Sequence, residues 1–440
     1  MVLTGRTAMI ALIAVVPIAV SHSPAVIFAV CLLALAALVG VDVAFAGRPT
    51  GLRLERTGAS STRLAVPVDT VVAVTNDGPR RVRGSLRDAW PPSALATPRQ
   101  HQFDCRPGAS ATITTQLRPV RRGDLRCATV AVRAMGPLGL AGRQRNIDAP
   151  GTVRVLPPFL SRKHLPSRLA RLREIDGQIP VLIRGQGTEF DSLREYVAGD
   201  DVRAIDWRAT ARRCDVVVRT WRPERDRRVV IVVDTGRTSA GRVGVDPAAL
   251  DPNGWPRLDW ALDAGLLLAA LASRAGDHVD FLAYDRVTRA AVFGARRGEL
   301  LSQLVEAMAP LEPALVESDA AGMVSAIRRR VRRRALVVLL TDLNRSALDE
   351  GLMPVLAQLT SRHQVIVAAI TDPRIDEMAA GRADEAQVYD AAAAEKARLD
   401  RRAAGAALRA AGADVIDAAP EDLAPALADR YLAMKAAGRL

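Results

Sequence analysis

The chain has 440 residues, of which 49% are hydrophobic and only 4% aromatic, and its formal net charge is +13. A chain of this length exceeds a single hydrophobic core, so two or three domains with aliphatic cores are expected. The basic charge comes with no zinc-finger spacing, no basic strand interleaved with aromatic residues and no recognition helix, so nucleic-acid binding is not expected.

Two apolar runs lie near the N-terminus, at residues 8–20 and 25–41, separated by the sequence SHSP. The second run approaches the length of about 20 residues that a membrane-spanning helix needs, whereas the first is short and contains Pro17. One interpretation is a helical hairpin with helices at about 8–20 and 25–45, and the other is a cleaved signal peptide. The second run follows at once and no small-residue cleavage site is evident, which favours the hairpin.

Basic residues flank this hairpin. Arg6 precedes it, Arg48, Arg53 and Arg56 follow it, and the connecting loop has no Lys or Arg. Because positive residues favour the cytoplasmic side, both ends and all later domains are predicted to be cytoplasmic. Residues 1–48 are therefore predicted to be the hairpin of a multi-pass protein of the cell membrane.

Residues 50–156 are predicted to form a β-sandwich. Apolar and polar residues alternate, and the sequences NDGP (76–79) and RRGD (121–124) are typical of turns. No catalytic constellation stands out, so a structural or interaction module is expected. Cys105 and Cys127 are interpreted as free buried thiols, because a disulfide between them requires that the segment lies outside the cytoplasm.

The remainder of the chain is predicted to be a connector over residues 157–214 followed by an α/β domain over residues 215–440. The connector is rich in arginine and interrupted by proline and glycine. In the domain, DVVVRTW and RRVVIVVD are predicted as a hairpin that enters a sheet, and apolar strands then alternate with helices. This alternation indicates a Rossmann-like domain with a mainly parallel sheet and helices on both faces.

Three predicted strands end in an aspartate, namely Asp234, Asp342 and Asp372. Ligands of such sheets bind at the carboxyl ends of the strands. The run DTGRTS that begins at Asp234 resembles the metal-ion-dependent adhesion site of the von Willebrand factor A fold. In that site a strand-end Asp, small hydroxyl residues two and four positions later, and a Thr and an Asp from later segments bind Mg²⁺ through oxygen atoms.

This resemblance implies a metal site with one position unfilled. Its ligands in this chain are Asp234, Thr238, Ser318 and Asp342. Asp319 is an alternative to Ser318, and Gly236 departs from the pattern because it has no side-chain oxygen. Mg²⁺ with a water in place of the missing hydroxyl is one interpretation, and a decayed site without metal is another. The structural alternative is that these aspartates cap the helices that follow.

A long run upstream of Asp234 carries a second resemblance. SLREYVAGDDVRAIDWRATARRCDVVVRTWRPERDRRVVIVVDTG resembles the signature of the domain-of-unknown-function family 58. The matching residues that precede Asp234 are Arg194, Tyr196, Gly199, Asp200, Arg203, Ile205, Asp206, Trp207, Ala211, Arg212, Glu224, Arg225 and Asp226. The flanking sequences RRG (121–123) and PLGL (137–140) agree with it. The resemblance therefore extends over nearly the whole chain.

The resemblance implies a von Willebrand factor A-like membrane protein that works with a MoxR-type AAA+ ATPase. We therefore expect a membrane-anchored adaptor without catalytic residues of its own, which binds protein partners in chaperone-like assembly or activation of complexes. Its expected partners are the ATPase, other membrane or envelope proteins and the lipid bilayer. The alternatives are a metal-dependent hydrolase that uses Asp200, Asp201 and Asp206, and an outward-facing envelope protein with a disulfide between Cys105 and Cys127.

Within the signature, the stretch GDDVRAIDWRAT combines charges with one tryptophan just before a buried strand. We predict that Asp206 caps the helical turn WRATARR and that Trp207 buries its ring against the sheet. Its carboxylates are predicted to pair with Arg203, Arg208 and Arg212 in a structural clasp, which also offers a surface for a partner.

A second basic stretch, RRRVRRR, spans residues 328–334 at the end of a predicted helix. Cations suit the C-terminus of a helix, and contact with anionic lipid is an alternative role. We interpret the stretch as a solvated helix face.

Overall fold

The structure is a computed structural model that describes residues 1–178, 189–197, 202–213, 215–222, 227–244 and 254–440. The chain divides into two compact units, Met1–Leu156 and Pro157–Leu440. Each unit has a hydrophobic core of its own. The boundary falls where the predicted β-sandwich ends, and the division accords with a multidomain chain.

The first unit begins with a short strand and a series of apolar helices. These are β1 (Val2–Leu3), α1 (Gly5–Ile13), α2 (Val15–Val20) and α3 (Pro24–Phe45). Among the described residues, one helical segment, Pro24–Gly51, is long and apolar enough to cross a membrane. The first apolar run was predicted as one helix, but it is interrupted at Ala14. Pro17 explains the break, since it has no N–H to donate to the carbonyl four residues earlier.

The strands that follow form two facing sheets. They are β2 (Leu52–Gly58), β3 (Ser61–Arg63), β4 (Val68–Asn76), β5 (Val82–Asp88), β6 (His101–Cys105), β7 (Ser110–Leu117), β8 (Gly123–Met135) and β9 (Ala141–Leu156). One sheet has the order β1-β9-β8-β5-β6, with β3 beside β9, and the other has the order β2-β4-β7. Alternate residues of both sheets, such as Val72, Val74, Leu86, Val130 and Val132, are almost fully buried. The unit is therefore a β-sandwich, because the inward faces of its sheets share one core.

Both turns predicted in the sandwich connect its two sheets rather than paired strands. β4 and β5 flank NDGP, yet β4 pairs with β2 and β7, whereas β5 pairs with β6 and β8. The Asn76 side chain stabilises this crossing, since it donates to the carbonyls of Arg80 (2.9 Å) and Cys105 (3.0 Å) and accepts from the Gly78 N–H (3.1 Å). RRGD likewise joins β7 of one sheet to β8 of the other.

Cys105 and Cys127 are free, buried thiols, as the simpler interpretation expected. Cys127 donates to Asp88 (3.2 Å), whose carboxylate also receives two hydrogen bonds from the buried guanidinium of Arg56. Burial and the charge of Asp88 raise the pKa of the Cys127 thiol to about 11. The disulfide on which the outward-facing alternative relied is not formed in this structure.

A buried carboxylate joins α3 to the sandwich. Asp42, in the last turn of α3, is fully buried and accepts from the N–H groups of Leu138 (2.7 Å), Leu140 (2.7 Å) and Ala141 (2.8 Å). Leu138 and Leu140 lie in the turn between β8 and β9, and Ala141 is the first residue of β9. A Cβ on Gly136 in this turn would overlap the Asp42 carboxylate. The backbone N–H of Thr4 donates to the Leu140 carbonyl (3.0 Å). The start of the chain and the end of α3 therefore meet at one turn of the sandwich.

The second unit alternates strands and helices. Its first half contains α4 (Leu165–Gln178), β10 (Glu189–Glu195), α5 (Trp207–Arg213), β11 (Val217–Arg222), β12 (Arg228–Asp234), β13 (Arg242–Val243), β14 (Trp255–Pro256), α6 (Arg257–Arg274), β15 (His278–Tyr284) and β16 (Thr288–Val292). Its second half contains α7 (Leu300–Met308), α8 (Ala320–Arg330), β17 (Leu336–Leu340), α9 (Arg345–Ala347), α10 (Met353–Thr360), β18 (Gln364–Ile370), α11 (Pro373–Ala380), α12 (Glu385–Ala410), β19 (Asp414–Ala418) and α13 (Pro420–Ala436).

A six-stranded sheet of order β16-β15-β12-β17-β18-β19 forms the centre of this unit. Its neighbours pair in parallel, except that β16 is antiparallel to β15. Residues 229–233 of β12 are at most 1% exposed, as expected for a central strand with helices on both faces. The predicted hairpin of DVVVRTW with RRVVIVVD is wrong: β11 pairs with β10 in a separate two-stranded sheet. β12 has no edge left for β11, because β15 and β17 occupy both.

Candidate functional site

The carboxyl edge of the parallel sheet brings several predicted site residues together around Asp234, the last residue of β12. Its Oδ1 atom accepts from the Gly236 N–H (2.8 Å) and from the Ser318 hydroxyl. Its Oδ2 atom accepts from the hydroxyls of Thr238 (3.0 Å) and Thr341 (2.8 Å). These five residues are called the Asp234 network below. The buried carboxylate is thus surrounded by donors from three separate segments of the chain.

Backbone hydrogen bonds position the segment that carries Ser318. The Ala314 N–H donates to the Thr235 carbonyl (2.7 Å), and the Arg237 N–H donates to the Val316 carbonyl (2.8 Å). A Cβ at Gly236 would overlap the Ser318 hydroxyl. The glycine that departs from the adhesion-site pattern therefore leaves the space that the Ser318 hydroxyl occupies, and a side chain at that position would displace this hydroxyl.

Asp342 faces arginine rather than the Asp234 network. Its carboxylate contacts Arg401 at 2.7 Å and Arg257 at 3.8 Å. Arg401 also pairs with Asp417 (2.8 Å) and donates to the Ile370 carbonyl (2.8 Å). Burial alone would lower the pKa of the Arg401 guanidinium. The hydrogen bonds to Asp417 and Asp342 and the charges of these residues outweigh burial, so the pKa is raised. The charge of Asp342 is thus already balanced by two fixed cations.

The remaining strand-end and loop aspartates act as helix caps. Asp372 accepts from the Arg374 N–H (3.1 Å) at the start of α11, and Asp319 accepts from the Gly322 N–H (2.9 Å) at the start of α8. The capping alternative therefore holds for these two residues. Of the two residues weighed for the later ligand position, Ser318 reaches Asp234.

The side chains at this edge of the sheet do not fit a divalent cation as ligands. Both oxygens of Asp234 already accept two hydrogen bonds each, and Asp342 is paired with arginine. The cavity that Asp234, Thr238 and Asp342 line has a volume of about 10 Å³, roughly the room that one water needs. Among the described residues, no group of three or more His, Cys, Asp or Glu side chains could hold a metal. We infer that the network is structural.

We expect Mg²⁺ to leave the thermal stability of the protein unchanged. Because a ligand of the folded state raises the melting temperature, a network without metal should give a shift below about 1 °C between chelator and millimolar Mg²⁺. The measurement is a thermal melt at matched ionic strength, with Asp234→Asn as the control. A saturable rise that this variant abolishes would contradict the inference.

The described family-signature residues lie in or beside α5 and the two-stranded sheet of β10 and β11. Gly199, Asp200, Asp201, Glu224, Arg225 and Asp226 lie outside the described residues, and Arg194, Tyr196, Arg203, Asp206, Trp207 and Arg212 lie within them. The Tyr196 N–H donates to the Val216 carbonyl (2.8 Å), and the Asp206 N–H donates to the Val217 carbonyl (2.9 Å). The signature therefore builds a local fold in which strand pairing anchors the helix. Two carboxylates of the predicted ion network, Asp200 and Asp201, lie outside the described residues.

The prediction that Asp206 caps the helix is confirmed. Its Oδ1 atom accepts from the N–H groups of Arg208 and Ala209, both at 3.0 Å. The prediction that Trp207 buries its ring is wrong, since the side chain is 69% exposed. The strand pairing that anchors α5 already buries Val217 and Val218, so Trp207, the first residue of the helix, remains outside.

Comparison with known proteins identifies relatives of this chain. The family model described as "Protein of unknown function DUF58" matches residues 192–415, about half of the chain. The uncharacterized protein Rv1480 of Mycobacterium tuberculosis is 29% identical over 199 residues, 45% of this chain and 59% of its own length. The uncharacterized protein YeaD of Bacillus subtilis is 25% identical over 125 residues, 28% of this chain and 31% of its own length. The chain thus spans less than two thirds of these relatives.

Solved structures resemble a smaller part of the chain. The CARDB domain of the PF1109 protein from Pyrococcus furiosus is 16% identical, with a TM-score of 0.19, over 26% of this chain and 90% of that domain. The PapD-like domain 7 of human CEP192 is 11% identical, with a TM-score of 0.19, over 25% of this chain and 89% of that domain.

Proposed function

Because the chain belongs to the DUF58 family of proteins of unknown function, we propose that it is a membrane-anchored adaptor that binds protein partners and works with a MoxR-type AAA+ ATPase. We assign its second unit to the von Willebrand factor A type. The mainly parallel sheet supports this assignment, and so does the position of Asp234 at the carboxyl edge of a central strand.

The three hydrogen bonds that Asp42 accepts from residues 138, 140 and 141, called the Asp42 clasp below, support a hairpin membrane anchor. The backbone of Thr4, just before α1, and the carboxylate of Asp42, at the end of α3, contact the same turn of the sandwich. If the start of α1 and the end of α3 meet at one turn, the apolar segments between them begin and end on the same side of a bilayer. With Arg6 and Arg48 at these ends, that side is the cytoplasm.

The observation that carries the adaptor role is the exposure of Trp207. The helix that carries this exposed tryptophan is fixed by a cap and by strand pairing. The helix can therefore bind a partner without changing its own conformation. Arg208 and Arg212 are exposed on the same helix. Tryptophan and arginine are the residue types that most often dominate protein–protein binding energy. We therefore propose α5 as the contact surface for the partner, whose complementary surface is acidic.

We expect Trp207→Ala to lower recovery of an AAA+ ATPase at least about tenfold when the tagged full chain is purified from native membranes. The variant should melt at the wild-type temperature, because the ring makes little contact with its own chain. Tyr389→Ala is the matched control, since Tyr389 is 70% exposed on α12. Recovery is measured by quantitative mass spectrometry.

Two outcomes would count against the proposal. Equal ATPase recovery with wild type and Trp207→Ala would exclude α5 as the contact surface. Absence of any AAA+ ATPase from wild-type preparations would remove the proposed partner. The hydrolase alternative has less support, since Asp206 serves as the cap of α5, and Asp200 and Asp201 lie outside the described residues.

A further inference from the structure

The basic run at the end of α8 lines a cavity at the opposite edge of the sheet from Asp234. The cavity has a volume of about 880 Å³ and lies between the C-terminal end of α8 and the segment that joins α10 to β18. Its wall includes the four arginines Arg328, Arg329, Arg332 and Arg362. β17 and β18 begin beside this cavity, whereas Asp234 and Thr341 follow the ends of their strands. The two sites are therefore distinct.

The positive charge of this cavity is not balanced within the described part of the chain. No acidic residue is among the described residues that line it. Arg328 donates to the Gln358 side-chain oxygen (2.7 Å), which is a neutral partner. Several arginines elsewhere in the same unit are paired, as Arg401 is with Asp342 and Asp417. Like charges gathered in one concavity repel one another and attract a counter-ion of high charge density.

A buried histidine adds a second polar group to the cavity. His363 is only 4% exposed, and its buried Nδ1 atom has no hydrogen-bond partner among the described residues. Burial, and then the nearby charge of Arg362, lower the pKa of His363, so its ring is neutral at neutral pH. A neutral imidazole offers one N–H donor and one acceptor, and a buried polar atom without a partner is costly. His363 lines the cavity, and its buried Nδ1 atom can meet a ligand oxygen there once the ring turns toward the cavity.

We propose that this cavity binds a small, multiply charged phosphate compound. Guanidinium groups match phosphate oxygens in charge and in fork geometry. The volume lies within the range of small-molecule sites, about 300 to 1,000 Å³. Val331 is the one apolar side chain among the described lining residues, so the wall offers little surface for a base or a lipid tail. Phosphate groups are therefore the recognised chemistry, whether on a soluble compound or on a lipid headgroup.

The test titrates the detergent-solubilised full chain with inorganic pyrophosphate at constant ionic strength by calorimetry. A parallel experiment measures binding to vesicles that contain a phosphorylated phosphatidylinositol. Arg329→Gln combined with Arg332→Gln should weaken binding of the preferred probe at least about tenfold. His363→Gln should weaken it by a smaller factor. Both arginines are exposed, so the double variant should fold and melt as wild type.

Arg402→Gln provides the matched control, since Arg402 is exposed on α12 and does not line the cavity. It should bind both probes as wild type does. Pyrophosphate binding that the double variant loses identifies a soluble ligand, and vesicle binding alone that it loses identifies a lipid headgroup. Equal weakening by the control, or no binding of either probe to wild type, overturns the proposal. Binding only of acidic peptides would overturn it as well.

Discussion

Replacing Asp42 with alanine is expected to lower the free energy of unfolding of the first unit by about 4 kcal/mol. The carboxylate is fully buried and accepts from three backbone N–H groups of the turn between β8 and β9. Alanine leaves these donors buried without partners, and each such group costs about 1 to 3 kcal/mol. Asp42→Asn should fall between alanine and wild type, because its amide keeps one acceptor oxygen and turns a donor toward the N–H groups.

The measurement is calorimetric unfolding of the full chain in detergent. Asp69→Ala is the matched control, since Asp69 is exposed in the same unit and makes one long hydrogen bond, 3.5 Å to Gln116. Its effect should stay within about 0.5 kcal/mol. If Asp42→Ala and Asp69→Ala unfold alike, the clasp contributes nothing and the argument for a rigid anchor fails.

Asp234→Ala is expected to lower the free energy of unfolding of the second unit by about 3 kcal/mol. The substitution removes the acceptor for four donors that join the end of β12 to the segments of Ser318 and Thr341. The hydroxyls can turn to other acceptors or to water, whereas the Gly236 N–H cannot. The loss is therefore smaller than the sum of four hydrogen bonds.

Calorimetry of the second transition measures this effect, with Asp372→Ala as the reference. Asp372 also follows a strand of the same sheet, but it only caps a helix and pairs with Arg374, so its loss should cost about 1 kcal/mol. A smaller effect at Asp234 than at Asp372 would show that the network is not structural. If chelators lower the melting temperature of the wild-type protein, a bound metal rather than the hydrogen bonds alone stabilises the network, which contradicts the inference.

The central strands of the second unit could be predicted from sequence because their environment is uniform. Residues 229–233, 336–340 and 365–370 are continuous apolar runs, and each one is a strand covered on both faces. Pairing was harder to predict wherever a strand has a choice of neighbours. DVVVRTW carries no signal that it pairs with β10, which precedes it by more than 20 residues. NDGP marks a change of direction, but turn composition does not tell which sheet the next strand joins.

The candidate site was predictable in position but not in detail. Strand-end aspartates identified the edge, and Ser318 does reach Asp234. Thr341 also donates to Asp234, but the adhesion-site pattern does not predict this contact, because the pattern assigns the ligand role in LLTD to the carboxylate of Asp342. The partner of Asp342, Arg401, comes from the middle of α12, 59 residues away. Such tertiary pairings leave no local pattern, and the same holds for the exposure of Trp207.

The clasp between Asp42 and the sandwich has a mechanical consequence. Residues 46–51 connect α3 to β2 along the chain, and Ala46 and Pro49 among them are buried. The three hydrogen bonds of Asp42 add a second connection, from the helix to residues 138–141. A force applied to the sandwich is therefore transmitted to α3 through these hydrogen bonds as well as along the chain. If α3 spans a membrane as proposed, the sandwich cannot rotate freely about residues 46–51.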